Sequence, residues 1–181
     1  MDTLGLVEIS SIAAGSELAD GMMKVANVEL VKAATICGGR FLIQVAGDRQ
    51  AVETSVDFAR NSGRKLVGDF VISGVSLQVI EALKKPQLAI PGDALGVVEA
   101  KNVSSGIESA DHAVKQAAVT LVRLVAGTGI MGKSYFVLSG DVASVEEAVE
   151  AARTALGEKL VEAVVIPRPD AEVFKALTGT R

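Results

Sequence analysis

The only cysteine, Cys37, lies in the run Thr35-Ile36-Cys37-Gly38-Gly39-Arg40-Phe41, and no other residue of the chain is as well suited to chemistry. A thiolate can act as a nucleophile or a soft-metal ligand. One sulfur alone completes no metal site, and a lone cysteine most often packs as a small hydrophobe. The two following glycines allow close backbone approach and expose N–H groups that could hydrogen-bond sulfide or an anion. His112, the only histidine, sits beside Asp111 with no serine or cysteine nucleophile at readable spacing, so it reads as a solvated helix residue. Glu8 and Glu99 recur at a strand position, and Asp48 and Asp141 at a strand-to-helix turn. Kept in both copies of a repeat, these acids fit backbone hydrogen bonding and helix capping. The 18 glycines form neither a P-loop nor a Gly-x-Gly-x-x-Gly after a strand. With no acid/base pair in view, the chain does not read as an enzyme.

The elements that must position these residues come in duplicate. Leu4-Gly5-Leu6-Val7-Glu8 recurs as Leu95-Gly96-Val97-Val98-Glu99, an offset of 91 positions (95 − 4). The same offset pairs Gly15 with Gly106, Asp20 with Asp111, Lys24 with Lys115 and Leu30-Val31 with Leu121-Val122. Further on, Gly39-Arg40 matches Gly132-Lys133, Gly47-Asp48 matches Gly140-Asp141, and Val79-Ile80 matches Val173-Phe174. The order of matches is kept and the shifts fall in loops, which is the mark of an internal duplication. Lys85-Pro86-Gln87 to Pro91-Gly92-Asp93 reads as the linker, giving domains 1–86 and 87–181.

Each half predicts the same series of elements. A β-branched strand over 4–10 precedes a helix over 16–26, where Leu18, Met22 and Val25 recur at helical spacing. Strands over 28–36 and 41–46 flank the cysteine turn. A second helix follows, with Val52, Val56 and Ala59 on one face and Gly63 as its left-handed stop. In the second copy Ser144-x-x-Glu147 reads as a capping box and Gly157 as the helix end. A short strand over 66–72, or 160–166, and a final short helix close each unit. The order β-α-β-β-α-β is the ferredoxin-like split pattern, so the fold class is α+β: two tandem ferredoxin-like domains, each a mainly antiparallel sheet with helices on one face.

Ala94-Leu95-Gly96-Val97-Val98-Glu99-Ala100-Lys101, with Ala110-Asp111-His112-Ala113-Val114-Lys115, resembles the signature of bacterial microcompartment (BMC) shell domains. Val165-Ile166-Pro167-Arg168-Pro169 is similar to that family's closing motif, and Asp20-Gly21-Met22-Met23-Lys24-Val25-Ala26-Asn27-Val28 and Ser139-Gly140-Asp141-Val142 fit as well. Two such domains resemble the tandem class, nearest its propanediol-utilisation T type through the Cys37 segment. The resemblance implies a homotrimer forming a pseudo-hexameric tile, other microcompartment shell proteins as partners, a redox enzyme in the lumen as a further one, and a place in the microcompartment shell within the cytoplasm. It also implies that Cys37 is a metal ligand at the trimer centre, holding one [4Fe–4S] cluster per trimer for electron transfer across the shell. Ile36, Gly38, Gly39, Ile130, Met131 and Gly132 would line the pore. Lys24, Asn27, Lys115 and Arg168 would stand at the tile edges. Two alternatives remain at this stage: a tile with a cluster-free pore for small metabolites, and a ferredoxin-like trimeric sensor that binds a small effector.

Composition narrows the partners further. The 181 residues are 49% hydrophobic, with 18 Lys+Arg against 22 Asp+Glu for a net charge of −4. That is too apolar for a disordered chain and lacks the basic surplus that offsets phosphate charge, so nucleic acid is not expected. With no Trp and 3% aromatics, base-stacking platforms are not expected either. No apolar run reaches the ~18 residues of a membrane span. Met1-Asp2-Thr3-Leu4 carries an acid where a secretory signal needs basic residues. A single cysteine excludes an internal disulfide framework and fits a reducing cytosol.

Overall fold

The computed structural model describes residues 3–84 and 92–179. The expected linker over 85–91, the boundary after residue 86 and the reading of Met1-Asp2 lie outside the described residues. Two compact units result: residues 3–75 with 127–132, and residues 76–84 and 92–126 with 133–179.

In the first unit the chain runs β1 (Thr3–Ile9), α1 (Ile12–Val25), β2 (Glu29–Ile36), β3 (Arg40–Gly47), α2 (Arg49–Arg60) and β4 (Leu66–Ser73). The strands pair in the order β2-β3-β1-β4, each neighbour antiparallel. Alternation along β1 sends Val7 and Ile9 into a core shared with Leu18 and Met22 of α1 and Val52, Val56 and Ala59 of α2. The first helix begins at Ile12, ahead of the expected Ser16, because the Ser11 hydroxyl accepts the Ala14 N–H at 3.3 Å and supplies the cap. Asp48 caps α2 by accepting from the N–H groups of Gln50 and Ala51.

The second unit opens with α3 (Leu77–Lys84) and continues through β5 (Ala94–Ala100), α4 (Val103–Gln116), β6 (Thr120–Ala126), β7 (Ser134–Gly140), α5 (Val142–Leu156), β8 (Leu160–Pro167) and α6 (Ala171–Thr178). Its sheet repeats the order of the first as β6-β7-β5-β8. The expected Ser144-x-x-Glu147 capping box does not form. Asp141 already stands at the cap: its carboxylate accepts the Ser144 N–H at 2.9 Å and the Ser144 hydroxyl at 2.7 Å. These bonds, the backbone one foremost, hold the Asp141 carboxyl below the usual carboxylate range. Glu147 instead accepts from Gln116 on α4. Gly157, at φ +50°, ends α5 as the sequence predicts. The closing helix α6 packs Phe174 and Leu177 against Leu95, Val97 and Val137, on the sheet face opposite the one where Gly96 meets α5.

Gly5 and Gly96 occupy matching places where a helix presses on the sheet. A Cβ at Gly96 would lie 2.7 Å from Val149 and 3.0 Å from Val145, and one at Gly5 would lie 2.7 and 2.8 Å from Val52 and Val56. Gly96→Ala is therefore expected to cost about 1–3 kcal/mol through overpacking, read as a lower urea midpoint at unchanged slope.

The two units also share out chain segments in a way that differs from sequence order. The segment 76–84 follows β4 but packs in the second unit. The Ser76 N–H donates to Asp111 Oδ1 at 2.8 Å, and Gln78 both accepts from the Leu121 N–H at 2.7 Å and donates to the Val119 carbonyl at 3.1 Å. Gln78 thus satisfies backbone groups on the outer side of edge strand β6, which would otherwise be open to another strand.

Candidate functional site

Cys37, Gly38 and Gly39 make the turn between β2 and β3, and the two glycines have φ of +81° and +69°. Two successive left-handed residues are what a tight hairpin of this twist requires, and glycine adopts them without strain because it carries no Cβ. The segment 127–132 lies against this turn within the first unit. The Cys37 N–H donates to the Gly127 carbonyl at 3.0 Å. In return the Gly129 N–H donates to Cys37 Sγ at 3.0 Å, and Arg40 Nη1 donates to the Gly132 carbonyl at 3.2 Å. A Cβ on Gly132 would fall 2.8 Å from the Cys37 carbonyl oxygen, so the two loops meet backbone to backbone. Cys37 is half-buried, and its sulfur accepts a directed N–H, a bond of the kind that metal-bound sulfurs receive in iron–sulfur sites.

Arg40 anchors the loop pair. Its Nη1 also donates to Glu8 Oε1 at 2.8 Å, and the Glu8 side chain is fully buried. The repeat-equivalent pair, Lys133 Nζ to Glu99 Oε1 at 2.9 Å, is partly exposed on both sides. Both glutamates therefore make ion pairs that fix the residue after the turn.

Of the residues assigned to a pore, Gly38, Gly39 and Met131 are exposed and Ile130 is half-buried, whereas Ile36 and Gly132 are buried within the unit. The four edge residues, Lys24, Asn27, Lys115 and Arg168, are all exposed. Lys24 pairs with Asp20 at 2.6 Å and Lys115 with Asp111, both at i,i+4 spacing. Arg168 holds a left-handed backbone at φ +47°, and its N–H donates to the Asp93 carbonyl at 2.7 Å. His112 is exposed on α4 beside Glu108, Glu147 and Glu150. Among the described residues no group of three or more His, Cys, Asp or Glu is placed to hold a metal ion, and no helix is long and apolar enough to cross a membrane. Sequence reasoning missed the work of Gln78, Arg40 and Gly129. A partial signal existed for Arg40 alone, since Gly-Arg after one turn and Gly-Lys after the other keep a cation in register with each glutamate.

The duplicated split-βαβ sheet and its paired loops find a direct counterpart among known proteins: the BMC domain pattern matches residues 3–75 and again 94–169. The chain belongs to the BMC domain family. This tandem BMC protein is 40% identical over 183 residues to the bacterial microcompartment shell protein PduT of Citrobacter freundii, covering 96% of both chains. Over 90 residues, 47% of this chain and 91% of the relative, it is 42% identical to the shell protein PduA of the same organism. Among solved structures, a microcompartment protein from Desulfitobacterium hafniense DCB superposes with a TM-score of 0.84 at 39% identity, covering 97% of this chain and 99% of the other. This chain is a tandem-BMC-domain shell protein, structural rather than enzymatic, of the bacterial microcompartment shell in the cytoplasm.

Proposed function

We propose that three copies of this chain close into one tile, and that their Cys37 sulfurs together hold a single [4Fe–4S] cluster that carries electrons across the shell wall. The observation that carries the cluster is the setting of Cys37: a half-buried residue on a glycine turn, clasped by 127–132, with the Gly129 N–H directed at its sulfur. Thiolate sulfur is the usual donor to such clusters, and backbone N–H bonds to the sulfur are among the levers that set their potential. One sulfur per chain is too few. Three brought to a common axis leave one iron for water or another non-cysteine ligand.

Trimer closure is supported by a difference between the repeats. In the second unit the surface formed by α4 and β6 carries the segment 76–84; its Asp111 side chain is 3% exposed and Leu121 is fully buried. The matching residues of the first unit, Asp20 and Leu30, are 63% and 43% exposed, and Val31 beside them is open as well. A second copy of the chain supplies the missing cover, and the same head-to-tail contact repeated by rotation closes a ring. Lys24, Asn27, Lys115 and Arg168 then stand on the rim that meets neighbouring shell proteins, and a redox enzyme in the lumen is the further partner.

Iron and acid-labile sulfide measured on anaerobically purified protein, alongside its native mass, test this reading. The expected result is a three-chain particle with about four irons per three chains, lost in Cys37→Ser. A three-chain particle without iron would leave a tile with a cluster-free opening for small metabolites. A single-chain mass would remove the tile.

A further inference from the structure

Among the described residues only two non-glycines hold a left-handed backbone, Met131 at φ +55° and Arg168 at φ +47°. Each stands where the other half of the repeat has a glycine: Gly38 at φ +81° and Gly74 at φ +62°. A Cβ in this conformation crowds the neighbouring carbonyl, and the first copy avoids that crowding by carrying none. Met131 accepts it without return inside the chain, since the residue is 83% exposed. Its backbone, by contrast, is closely held. The Met131 carbonyl lies 3.7 Å from the place a Gly38 Cβ would occupy, and Gly127, Gly129 and Gly132 on either side each hydrogen-bond to Cys37 or Arg40. A strained, solvent-facing, unbranched apolar side chain on a fixed loop beside the only thiol is placed to act on something outside its own chain.

We propose that Met131 is the access-limiting residue for the Cys37 sulfurs: in the assembled particle the Met131 side chains of three copies close over the shared axis and screen the thiols from water and charged solutes. This rests on the trimeric tile described above. Bulk and apolarity do the screening, so the thioether sulfur is dispensable. Leucine in its place keeps the screen, and glycine, the residue the first repeat uses, opens it while relieving the backbone.

The test is the rate at which iodoacetate alkylates Cys37 in the full-length, chelator-treated protein, followed by mass spectrometry, with native mass and thermal midpoint recorded for each variant. Met131→Gly is expected to alkylate several-fold faster than the parent with a midpoint no lower, and Met131→Leu to alkylate at the parent rate. Equal rates for Met131→Gly and the parent in verified three-chain particles would overturn the proposal alone. So would a Met131→Leu rate as fast as that of the glycine variant, because the thioether and not its bulk would then be the active feature. A single-chain mass for the parent would overturn the tile reading and this proposal together.

Discussion

Arg40→Met will lower the free energy of unfolding by about 3 kcal/mol, the lower end of what is lost when one partner of a buried ion pair is removed. The guanidinium faces a Glu8 carboxylate with no exposed side-chain surface, at 2.8 Å. Taking it away removes a charge-assisted bond from a fully buried carboxylate. The lower end applies because Arg40 is itself partly exposed. Denaturant titration reads the loss directly, and Glu8→Leu combined with Arg40→Met should recover much of it, since a pair replaced together by apolar groups is often near neutral. Recovery should stop short of complete, because Arg40 also bonds the Gly132 carbonyl and so helps hold the loop that meets Cys37. The repeat supplies an internal control. Lys133→Met breaks the matching pair with Glu99, where both side chains are more than a third exposed, and is expected to cost at most about 1 kcal/mol. Equal losses at the two sites would mean that burial is not what separates them.

Arg168→Gly is expected to abolish tile-to-tile assembly while leaving the fold intact. The left-handed backbone at Arg168 is the one Gly74 adopts in the first repeat, so glycine fits there without rearrangement. Relief of crowding and the added freedom of the unfolded chain act in opposite directions, leaving stability unchanged or raised by up to about 1 kcal/mol. What disappears is an exposed guanidinium, the group best shaped for bidentate bonds to carbonyl or carboxylate groups of an adjoining tile. If the proposed tile is right, electron microscopy should show sheets for the parent and dispersed particles for the variant. Sheets of parent-like extent and order would remove Arg168 from the edge and restrict its role to ending β8.

Much of this molecule was legible before any coordinates. The offset matches laid out both sheets, because a strand buried on one face must alternate and an amphipathic helix must repeat near 3.6, and both patterns survive duplication. Asp48 and Asp141 could be read as caps for the same reason: the N-cap is a local device, set by one side chain and the next few N–H groups. The Ser144–Glu147 reading failed because two local devices competed for the same helix start and the aspartate was nearer to it. The Cys37 turn was equally local, its two glycines dictating the hairpin.

The sequence by itself determined the duplication, the α+β class, the strand and helix order and the singular position of the thiol. Only the tertiary structure decided that α3 serves the second unit, that 127–132 joins Cys37 in the first, and that of two matched aspartates one is buried and the other open. The physical reason is that a repeat writes the same local preferences twice, whereas burial and hydrogen-bond partners are settled by segments far away in the chain. Asp20 and Asp111 have the same lysine four residues on, yet only Asp111 receives the Ser76 N–H, and nothing in the neighbourhood of either aspartate announces it.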